Sequence, residues 1–262
     1  MVSPTSKTPA LEIRGLQAWY GESHVLHGVD IVVQPGEVVT LLGRNGAGRT
    51  TTMRAVMGLT GARKGSVKIN GVETVGLPTH RIAHLGVGYC PEERGIFSSL
   101  SCEENLLLPP ALKTGTPGMS VQEIYAMFPN LAERRNSQGT RLSGGEQQML
   151  AVARILRTGA NLLLLDEISE GLAPVIVQAL ARMITTLRQK GYTVVMVEQN
   201  FRFAAPLADR FYGYAEQAVE NFRANLDDAV FWTFMPLARP IWAVRGALRP
   251  DFRPYGRTCP NR

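Results

Sequence analysis

The chain has 262 residues, of which 45% are hydrophobic, and a formal net charge of +6. That length accommodates one large α/β domain or two small ones, and no apolar run approaches the roughly 18 to 20 residues that span a bilayer. Residues 221–262 hold seven arginines, three aspartates and no lysine or glutamate, so +4 of the charge lies there. The body lacks the concentrated basic face of a nucleic-acid binder. We therefore expect no nucleic-acid partner and only a peripheral membrane role.

The first part of the chain predicts three strands that lead into a glycine-rich loop. Residues 11–20 alternate between apolar and polar, and residues 25–33 form a second apolar strand pattern. Residues 37–42 are β-branched and apolar, as expected of a buried strand. The sequence GRNGAGRTT at residues 43–51 follows, and residues 50–57 predict a helix. This order is strand, glycine-rich loop, helix.

The loop has the composition of a phosphate-binding loop. Glycines remove side chains where backbone N–H groups turn toward phosphate oxygens, and the positive end of the helix dipole points at the same place. Thr50 offers its hydroxyl to Mg²⁺. A glycine-rich turn without a ligand is the alternative. The residues predicted to bind nucleotide here are Gly43, Asn45, Gly46, Ala47, Gly48, Arg49, Thr50 and Thr51.

Arg49 departs from the phosphate-loop pattern, which has lysine at this position. Lysine is a compact point charge on a flexible stem, whereas guanidinium is larger, planar and forked. Arginine still pairs with phosphate, so we expect nucleotide binding to survive. Hydrolysis is more sensitive, since a misplacement of about 1 Å can cost roughly 100-fold in rate.

The middle of the chain changes character after two further strands. Residues 65–71 predict a strand that ends at an Asn-Gly turn, and residues 85–90 predict a buried strand. Between residues 101 and 157 the patterns are mainly helical, broken by proline and glycine. We expect a helical subdomain, at about residues 98–158, inserted after the first sheet strands.

The strand pattern then returns. Residues 161–166 are a short apolar run suited to a central parallel strand, and Asp166 and Glu167 lie at its exit. Residues 174–190 predict an amphipathic helix, and residues 192–197 predict the next strand. Strands that alternate with helices imply a parallel sheet. We therefore predict an α/β fold, a P-loop NTPase (RecA-like) parallel-sheet core with an antiparallel β subdomain and the inserted helical subdomain.

A second segment narrows the family. The motif LSGGEQQ at residues 142–148 starts a helix that Ser143 can cap, and its two glycines expose backbone N–H groups. In isolation it is also compatible with an ordinary capped helix after a glycine turn. Together with the phosphate loop and the Asp-Glu strand, residues 11–209 resemble the nucleotide-binding subunits of ABC transporters.

Within that family the chain is most similar to the ATP-binding subunits of branched-chain amino acid importers. The similarity lies in residues 89–97, 167–174 and 197–200. Most ABC proteins carry Gln and His at two of these positions, where this chain has Glu92 and Gln199. The resemblance therefore makes these two residues markers of the subgroup.

The resemblance also implies roles for individual side chains. Tyr20 would stack on adenine, although a strand-end tyrosine that packs on the core is the alternative. Asp166 and Glu92 would bind Mg²⁺, and Glu167 would orient or deprotonate the attacking water. Gln199 would position the γ-phosphate or water, because an amide takes no proton at neutral pH. A polar strand-end residue without that role is its alternative.

The resemblance further implies a head-to-tail pair of ATP-binding subunits, identical or not, that share each ATP. Nucleotide on one phosphate loop would then meet the LSGGEQQ motif of the opposite chain, with Ser143 and Gly145 at the γ-phosphate. ATP would close the pair, and hydrolysis would release it. The nucleotide contacts expected from this motif are Ser143, Gly144, Gly145 and Glu146.

The implied assembly lies on the cytoplasmic side of the inner membrane. Two permease subunits would dock near residues 93–110, where Arg94 and Phe97 are exposed candidates, and a periplasmic solute-binding protein would take part indirectly. ATP hydrolysis would energise uptake of branched-chain or related amino acids. One alternative is a hydrolysis-impaired ATP-binding subunit, because of Arg49, and another is a soluble ABC ATPase that is not coupled to transport.

The resemblance stops before the C-terminal part. We expect a nucleotide-binding domain at residues 10–220 and an atypical tail at residues 221–262, rich in arginine and proline. The tail shows neither a helical nor a strand period, and it looks more like a shifted reading frame or a divergent extension than a family element. We expect it to pack poorly.

Overall fold

The computed structural model describes residues 8–43, 45–112 and 117–213, together with the backbone of 238–240. The strands are β1 (Leu11–Tyr20), β2 (Ser23–Val33), β3 (Val38–Leu42), β4 (Arg63–Ile69), β5 (Val72–Glu73), β6 (Val87–Cys90), β7 (Leu162–Asp166), β8 (Thr193–Glu198), β9 (Arg210–Gly213) and β10 (Ala238–Pro240). The helices are α1 (Arg49–Val56), α2 (Thr79–Ala83), α3 (Cys102–Leu107), α4 (Val121–Met127), α5 (Pro129–Glu133), α6 (Gly144–Arg157), α7 (Pro174–Gln189) and α8 (Phe201–Ala204).

A six-stranded parallel sheet forms the centre, in the order β10-β9-β3-β8-β7-β6. Every residue of β3, β7 and β8 is buried, which explains their continuous apolar runs. Alternate residues of β7 face opposite sides. Leu163 and Leu165 pack with α6 and α7, whereas Leu162 and Leu164 pack with α1 and β1. The predicted parallel-sheet core is confirmed.

A separate antiparallel sheet has the order β2-β1-β4-β5. Its buried face joins the hydrophobic cluster that contains α1. The turn between β4 and β5 contains Asn70 (φ 48°) and Gly71 (φ 83°), as the Asn-Gly pair predicts. This sheet therefore holds α1, and the loop before it, against the parallel sheet, and the predicted antiparallel part of the fold is confirmed.

Helices α3 to α6 lie between β6 and β7 in the chain. Three of them begin with the same device, in which a serine and a glutamate three residues later cap each other: Ser101 with Glu104 at α3, Ser120 with Glu123 at α4, and Ser143 with Glu146 at α6. Each pair satisfies N–H groups that the first turn leaves without helical partners. The subdomain boundaries expected from the sequence remain predictions.

The C-terminal part departs from the sequence-based expectation at one place. The structure includes β10, which pairs in parallel with β9 at the edge of the sheet, although the tail shows no strand period. A proline is tolerated in such an edge strand. The rest of the tail, with Trp232, Trp242 and Cys259, lies outside the described residues. Within the described part of the chain, none of the helices combines the length and apolar character needed to cross a membrane.

Candidate functional site

The glycine-rich loop connects β3 to α1 and bends through left-handed backbone conformations. Gly46 has φ 80° and Gly48 has φ 92°, a region that residues with a side chain rarely adopt. A Cβ at Gly48 would also lie 2.8 Å from Leu26 Cδ2. In the described chain no side chain caps α1, and its first turn contains no acidic residue. The first N–H groups of α1, and its positive dipole end, therefore remain available to an anion.

A cleft of about 400 Å³ lies at this helix end. One side is the loop, and the other side carries carboxylates from the turns that follow β6 and β7. Small backbone-rich residues on one wall and acidic residues on the other are suited to a phosphate chain and a divalent cation, respectively. The lining residues are Asn45, Gly46, Ala47, Gly48, Arg49, Thr50, Thr51, Arg54, Glu92, Glu167 and Glu170.

Arg49 is enclosed within this site, with its side chain 3% exposed. Its Nη2 donates to Glu167 Oε1 at 3.0 Å and to Asn45 Oδ1 at 3.3 Å, and its Nη1 donates to the Glu198 carbonyl at 2.9 Å. Burial lowers the pKa of Arg49, and the charge of Glu167 opposes that effect. The arginine that replaces the expected lysine is thus bonded directly to the predicted base.

Asp166 ends β7 and lies fully buried next to the loop. Its Oδ1 accepts from Thr50 Oγ1 at 3.0 Å, and its Oδ2 accepts from Tyr89 Oη at 3.1 Å. Burial raises the pKa of Asp166, whereas these two hydrogen bonds lower it. The structure therefore brings together Thr50 and Asp166, two of the three predicted Mg²⁺ ligands, whereas the third, Glu92, is grouped with Glu167 and Glu170. It also adds Tyr89, which sequence reasoning missed.

Glu167 has a left-handed backbone, with φ 48°, although it is not glycine. Such strain concentrates at functional positions. Its N–H donates to the Val197 carbonyl at 2.9 Å, which ties the turn after β7 to β8. Its carboxylate accepts from Gln199 Nε2 at 2.7 Å as well as from Arg49. The two predicted catalytic side chains are therefore in direct contact.

Three carboxylates meet at the open side of the cleft. Oxygen atoms of Glu92, Glu167 and Glu170 all lie within 4.8 Å of one another. A hydrogen bond with Glu167, and then burial, raise the pKa of Glu170 to about 7, as expected where like charges share a site. Sequence reasoning selected Glu92 but missed Glu170. The available signal was that Glu170 follows Glu167 by three residues, a spacing that places both residues on one turn. In the structure the Glu170 N–H donates to the Glu167 carbonyl across that turn.

Glu198 is a third group that sequence reasoning missed, after Tyr89 and Glu170. It is 1% exposed, and its carboxylate accepts from the Ser169 N–H at 3.2 Å and from Ser169 Oγ at 2.7 Å. Burial raises the pKa of Glu198 to about 7, and the two hydrogen bonds oppose that rise. Its carboxylate therefore holds the turn after β7, while its carbonyl holds Arg49.

Tyr20 lies at the rim rather than in the cleft. It is 39% exposed at the end of β1. Hydrogen bonds with Tyr89 and, more weakly, with Tyr20 raise the pKa of Arg54, which lines the cleft. Gly43 follows the last residue of β3, directly before the loop.

The LSGGEQQ segment stands apart from this cleft. None of Ser143, Gly144, Gly145 and Glu146 is among the described residues that line it. Ser143 and Glu146 instead cap α6, and a Cβ on Gly145 would lie 2.6 Å from Ile176 Cγ1. Gly145 is therefore also required for the close packing of α6 on α7.

The parallel sheet, the glycine loop and the Asp-Glu turn at the end of β7 define a P-loop nucleotide-binding protein. Residues 26–170 match the family model for ABC transporters. The chain is 42% identical over 215 residues to BraG of Pseudomonas aeruginosa, a high-affinity branched-chain amino acid transport ATP-binding protein; the match covers 81% of this chain and 90% of BraG. It is 34% identical over 206 residues to LptB of Haemophilus influenzae, a lipopolysaccharide export system ATP-binding protein, with coverage of 77% and 85%.

A solved dimeric ATP-binding cassette in a post-hydrolysis state, bound to ADP and Pi, has the same fold. Its TM-score is 0.67 at 22% identity, and the match covers 78% of this chain and 93% of that one. This chain belongs to the ABC transporter family, as an ATP-binding subunit with ATPase function. The family resemblance and the RecA-like fold class read from the sequence are confirmed.

Proposed function

We propose that this chain hydrolyses Mg²⁺-ATP to energise an importer of branched-chain or related amino acids. The main support for ATP hydrolysis is that Glu167 contacts both Gln199 and the phosphate loop. Its carboxylate accepts from Gln199 Nε2 at 2.7 Å and from Arg49 Nη2 at 3.0 Å. The solute class is supported by similarity to BraG. The identity to BraG, 42%, exceeds the 34% to LptB, whose name refers to export.

In this proposal the loop residues 43 and 45–51 hold the phosphates through backbone N–H groups and Arg49. Thr50 and Asp166 would hold Mg²⁺, together with Glu92 at the open side of the cleft. These oxygen donors are the type that Mg²⁺ prefers, and the cation would supply positive charge that offsets the charge of the phosphates. Tyr20 stacks on the adenine ring from the rim, which its exposed position at the end of β1 supports.

Glu167 orients or deprotonates the attacking water. Its carboxylate lies at the carboxyl end of a central strand, where its position is fixed by the contact of its own N–H with β8. Gln199 holds the second carboxylate oxygen at 2.7 Å, and as an amide it positions rather than transfers a proton. The base and its positioning partner thus come from adjacent strands.

We further propose that two such subunits pair head to tail. The LSGGEQQ residues Ser143, Gly144, Gly145 and Glu146 lie outside the cleft of their own chain, which supports their acting on nucleotide held by a partner. In this arrangement residues 10–220 form the nucleotide-binding domain, with its helical subdomain at 98–158. The pair would sit on the cytoplasmic side of the inner membrane and respond indirectly to a periplasmic solute-binding protein.

A groove of about 550 Å³ between the sheet domain and the helices is the proposed docking site of each of two permease subunits. Arg54, Arg94 and Arg154 line it, and no carboxylate occurs among its described lining residues, although Arg54 is ion-paired with Glu93 at 2.8 Å. Phe97, 46% exposed, stacks under Arg154 at 4.7 Å. A permease segment with acidic and apolar side chains fits this lining.

Charge reversal by Arg94→Glu is expected to reduce co-purification with the permeases, whereas Lys68→Glu on the antiparallel sheet is the control.

The test of hydrolysis is phosphate release by the purified chain. We expect turnover that requires Mg²⁺ and that falls in Asp166→Asn, because this substitution weakens the cation site without removing the loop. Absence of both turnover and nucleotide binding would overturn the proposal. Failure to associate with any permease, in a chain that hydrolyses ATP, would favour an ABC ATPase that is not coupled to transport.

A second candidate is an ATP-binding subunit with little hydrolysis, which the direct contact of Arg49 with Glu167 favours. Restoring the expected residue by Arg49→Lys separates the two. If arginine impairs hydrolysis, lysine should raise turnover by about tenfold to 100-fold, in line with the cost of small misplacements at a reacting phosphate. Unchanged turnover would eliminate this candidate.

A further inference from the structure

Glu167 and Arg49 form a buried ion pair at the centre of the site. Their side chains are 8% and 3% exposed, and the Nη2 to Oε1 distance is 3.0 Å. Breaking such a pair by removing one charge leaves the other charge buried without compensation. Whatever separates these two residues must therefore offer the guanidinium another anion.

The bonding of Arg49 leaves Nη2 fully engaged. This nitrogen has two hydrogens, and it donates to both Asn45 Oδ1 and Glu167 Oε1. Nη1 is held at the Glu198 carbonyl. A phosphate oxygen that binds Nη2 must therefore displace one of the two side-chain acceptors.

Phosphate is well suited to that displacement. Guanidinium forms forked hydrogen bonds with phosphate as readily as with carboxylate. Arg49 is the first residue of α1, so the same helix end that would hold the phosphate also carries the guanidinium. Glu167 lines the same cleft, and its Oε1 lies 3.0 Å from Arg49 Nη2. The carboxylate and a phosphate group in the loop therefore have access to the same cation.

We propose that Glu167 and the nucleotide β-phosphate compete for Arg49, so that phosphate binding releases the carboxylate of the base from its ion pair. The inference rests on the proposed function, because it requires nucleotide in the loop. It adds that the base is restrained until phosphate arrives. This competition requires arginine at position 49. The single nitrogen of a lysine would not reach Asn45, Glu167 and the Glu198 carbonyl in the same forked geometry.

The test is the equilibrium affinity of the purified chain for ADP, a ligand that is not hydrolysed. Glu167→Gln keeps the size of the side chain but removes its charge, so Arg49 should pair with phosphate more tightly. We expect ADP affinity to rise about tenfold, which corresponds to 1.4 kcal/mol. Glu170→Gln is the matched control, because it changes a carboxyl group of the same cleft that is not among the described hydrogen-bond partners of Arg49. Affinities are measured at about pH 8, above the pKa of about 7 of Glu170, so that this substitution also removes a charge. It should change ADP affinity by less than about threefold.

Two further arms distinguish competition for Arg49 from a general electrostatic effect. AMP lacks the β-phosphate, so its affinity should be the same with Glu167 or Gln at this position. In an Arg49→Lys background the gain from Glu167→Gln should shrink to about twofold or less. Equal gains for ADP and AMP, or for the two glutamates, would overturn the proposal. Loss of ADP binding in every variant is a different result, because it overturns the proposed function itself.

Discussion

Two helices begin at glycine-rich turns, and their first turns are satisfied in different ways. At α6, Ser143 Oγ accepts from the Glu146 N–H at 3.3 Å, and the Glu146 carboxylate accepts from the Ser143 N–H at 2.7 Å. At α1 the residue before the helix is Gly48, and the first turn contains no acidic side chain. The α6 end is therefore satisfied within the chain, whereas the α1 end remains suited to an external anion.

This difference shows that two glycine motifs of similar appearance have different structural requirements. Gly48 is needed for a left-handed backbone, while Gly145 is needed because α6 passes close to Ile176. The hydroxyl of Ser143 accepts a hydrogen bond in its cap, but its hydrogen can still donate to a phosphate. The α6 end is thus complete as a helix start and still compatible with a role at a partner's nucleotide.

The largest effect is expected at the α1 end. Glu167→Gln removes the group that would take a proton from water, so ATP turnover should fall by about 100-fold to 10,000-fold, the range that general base catalysis contributes. Steady-state phosphate release with saturating ATP and Mg²⁺ measures it. ADP binding should persist in the variant, which separates a catalytic loss from misfolding.

Glu170→Gln serves as the comparison for that loss. Glu170 lies in the same acidic cluster as Glu167, but its side chain is exposed and is not among the described hydrogen-bond partners of Arg49. We expect turnover to fall by less than about tenfold, the effect of a nearby charge rather than of the reacting base. If both variants lose turnover equally, Glu167 is not distinguished as the base.

The sequence predicted the centre of the fold more accurately than its edges. Strands β3, β7 and β8 lie within one residue of their predicted bounds, because buried parallel strands leave continuous apolar runs. The glycine loop was also recognisable, since left-handed backbone conformations restrict residue type. Strand β10 was not, because three residues paired with β9 depend on a contact between distant parts of the chain.

The site residues that were missed have the same explanation. Tyr89 reaches Asp166 because β6 lies next to β7, and Glu198 reaches Ser169 because β8 lies next to β7. Neither contact is encoded by local spacing. Local motifs therefore identify groups that face a ligand, whereas the groups that hold them in place become visible only when the strand order is known.

A smaller effect is expected from Glu198, which links the α1 end to the turn after β7. Its pKa is raised to about 7 in the folded protein from an ordinary value of 4.5. The folded state therefore binds more protons than the unfolded state between these values, so its stability should decrease as pH rises from about 4.5 to 7. The loss should be about 1 to 3 kcal/mol, because a tenfold difference in proton affinity corresponds to about 1.4 kcal/mol. Urea unfolding at pH 5 and pH 7.5 measures it.

Glu198→Gln should reduce that dependence without abolishing it, because the amide does not titrate, whereas Glu170, whose pKa is also raised to about 7, remains. The amide still offers an oxygen to Ser169. Glu133→Gln is the control, since it removes one exposed carboxyl group by the same substitution and leaves the buried Glu198 in place. If the free energy of unfolding had the same slope against pH in the wild type and in Glu198→Gln, the buried carboxyl would not determine stability in this pH range.

The smallest effect concerns the α6 end, and it tests whether that end has more than a structural role. Ser143→Ala and Ser120→Ala remove the same kind of cap from α6 and α4, so each should lower the free energy of unfolding by about 1 kcal/mol. Only Ser143→Ala should also lower ATP turnover, if its hydroxyl donates to nucleotide held by a second chain. Equal stability losses with equal turnover in the two variants would mean that the serine of LSGGEQQ only begins a helix. A turnover loss confined to Ser143→Ala, at matched stability, requires a contact that its own chain does not supply, because Ser143 lies outside the cleft of that chain.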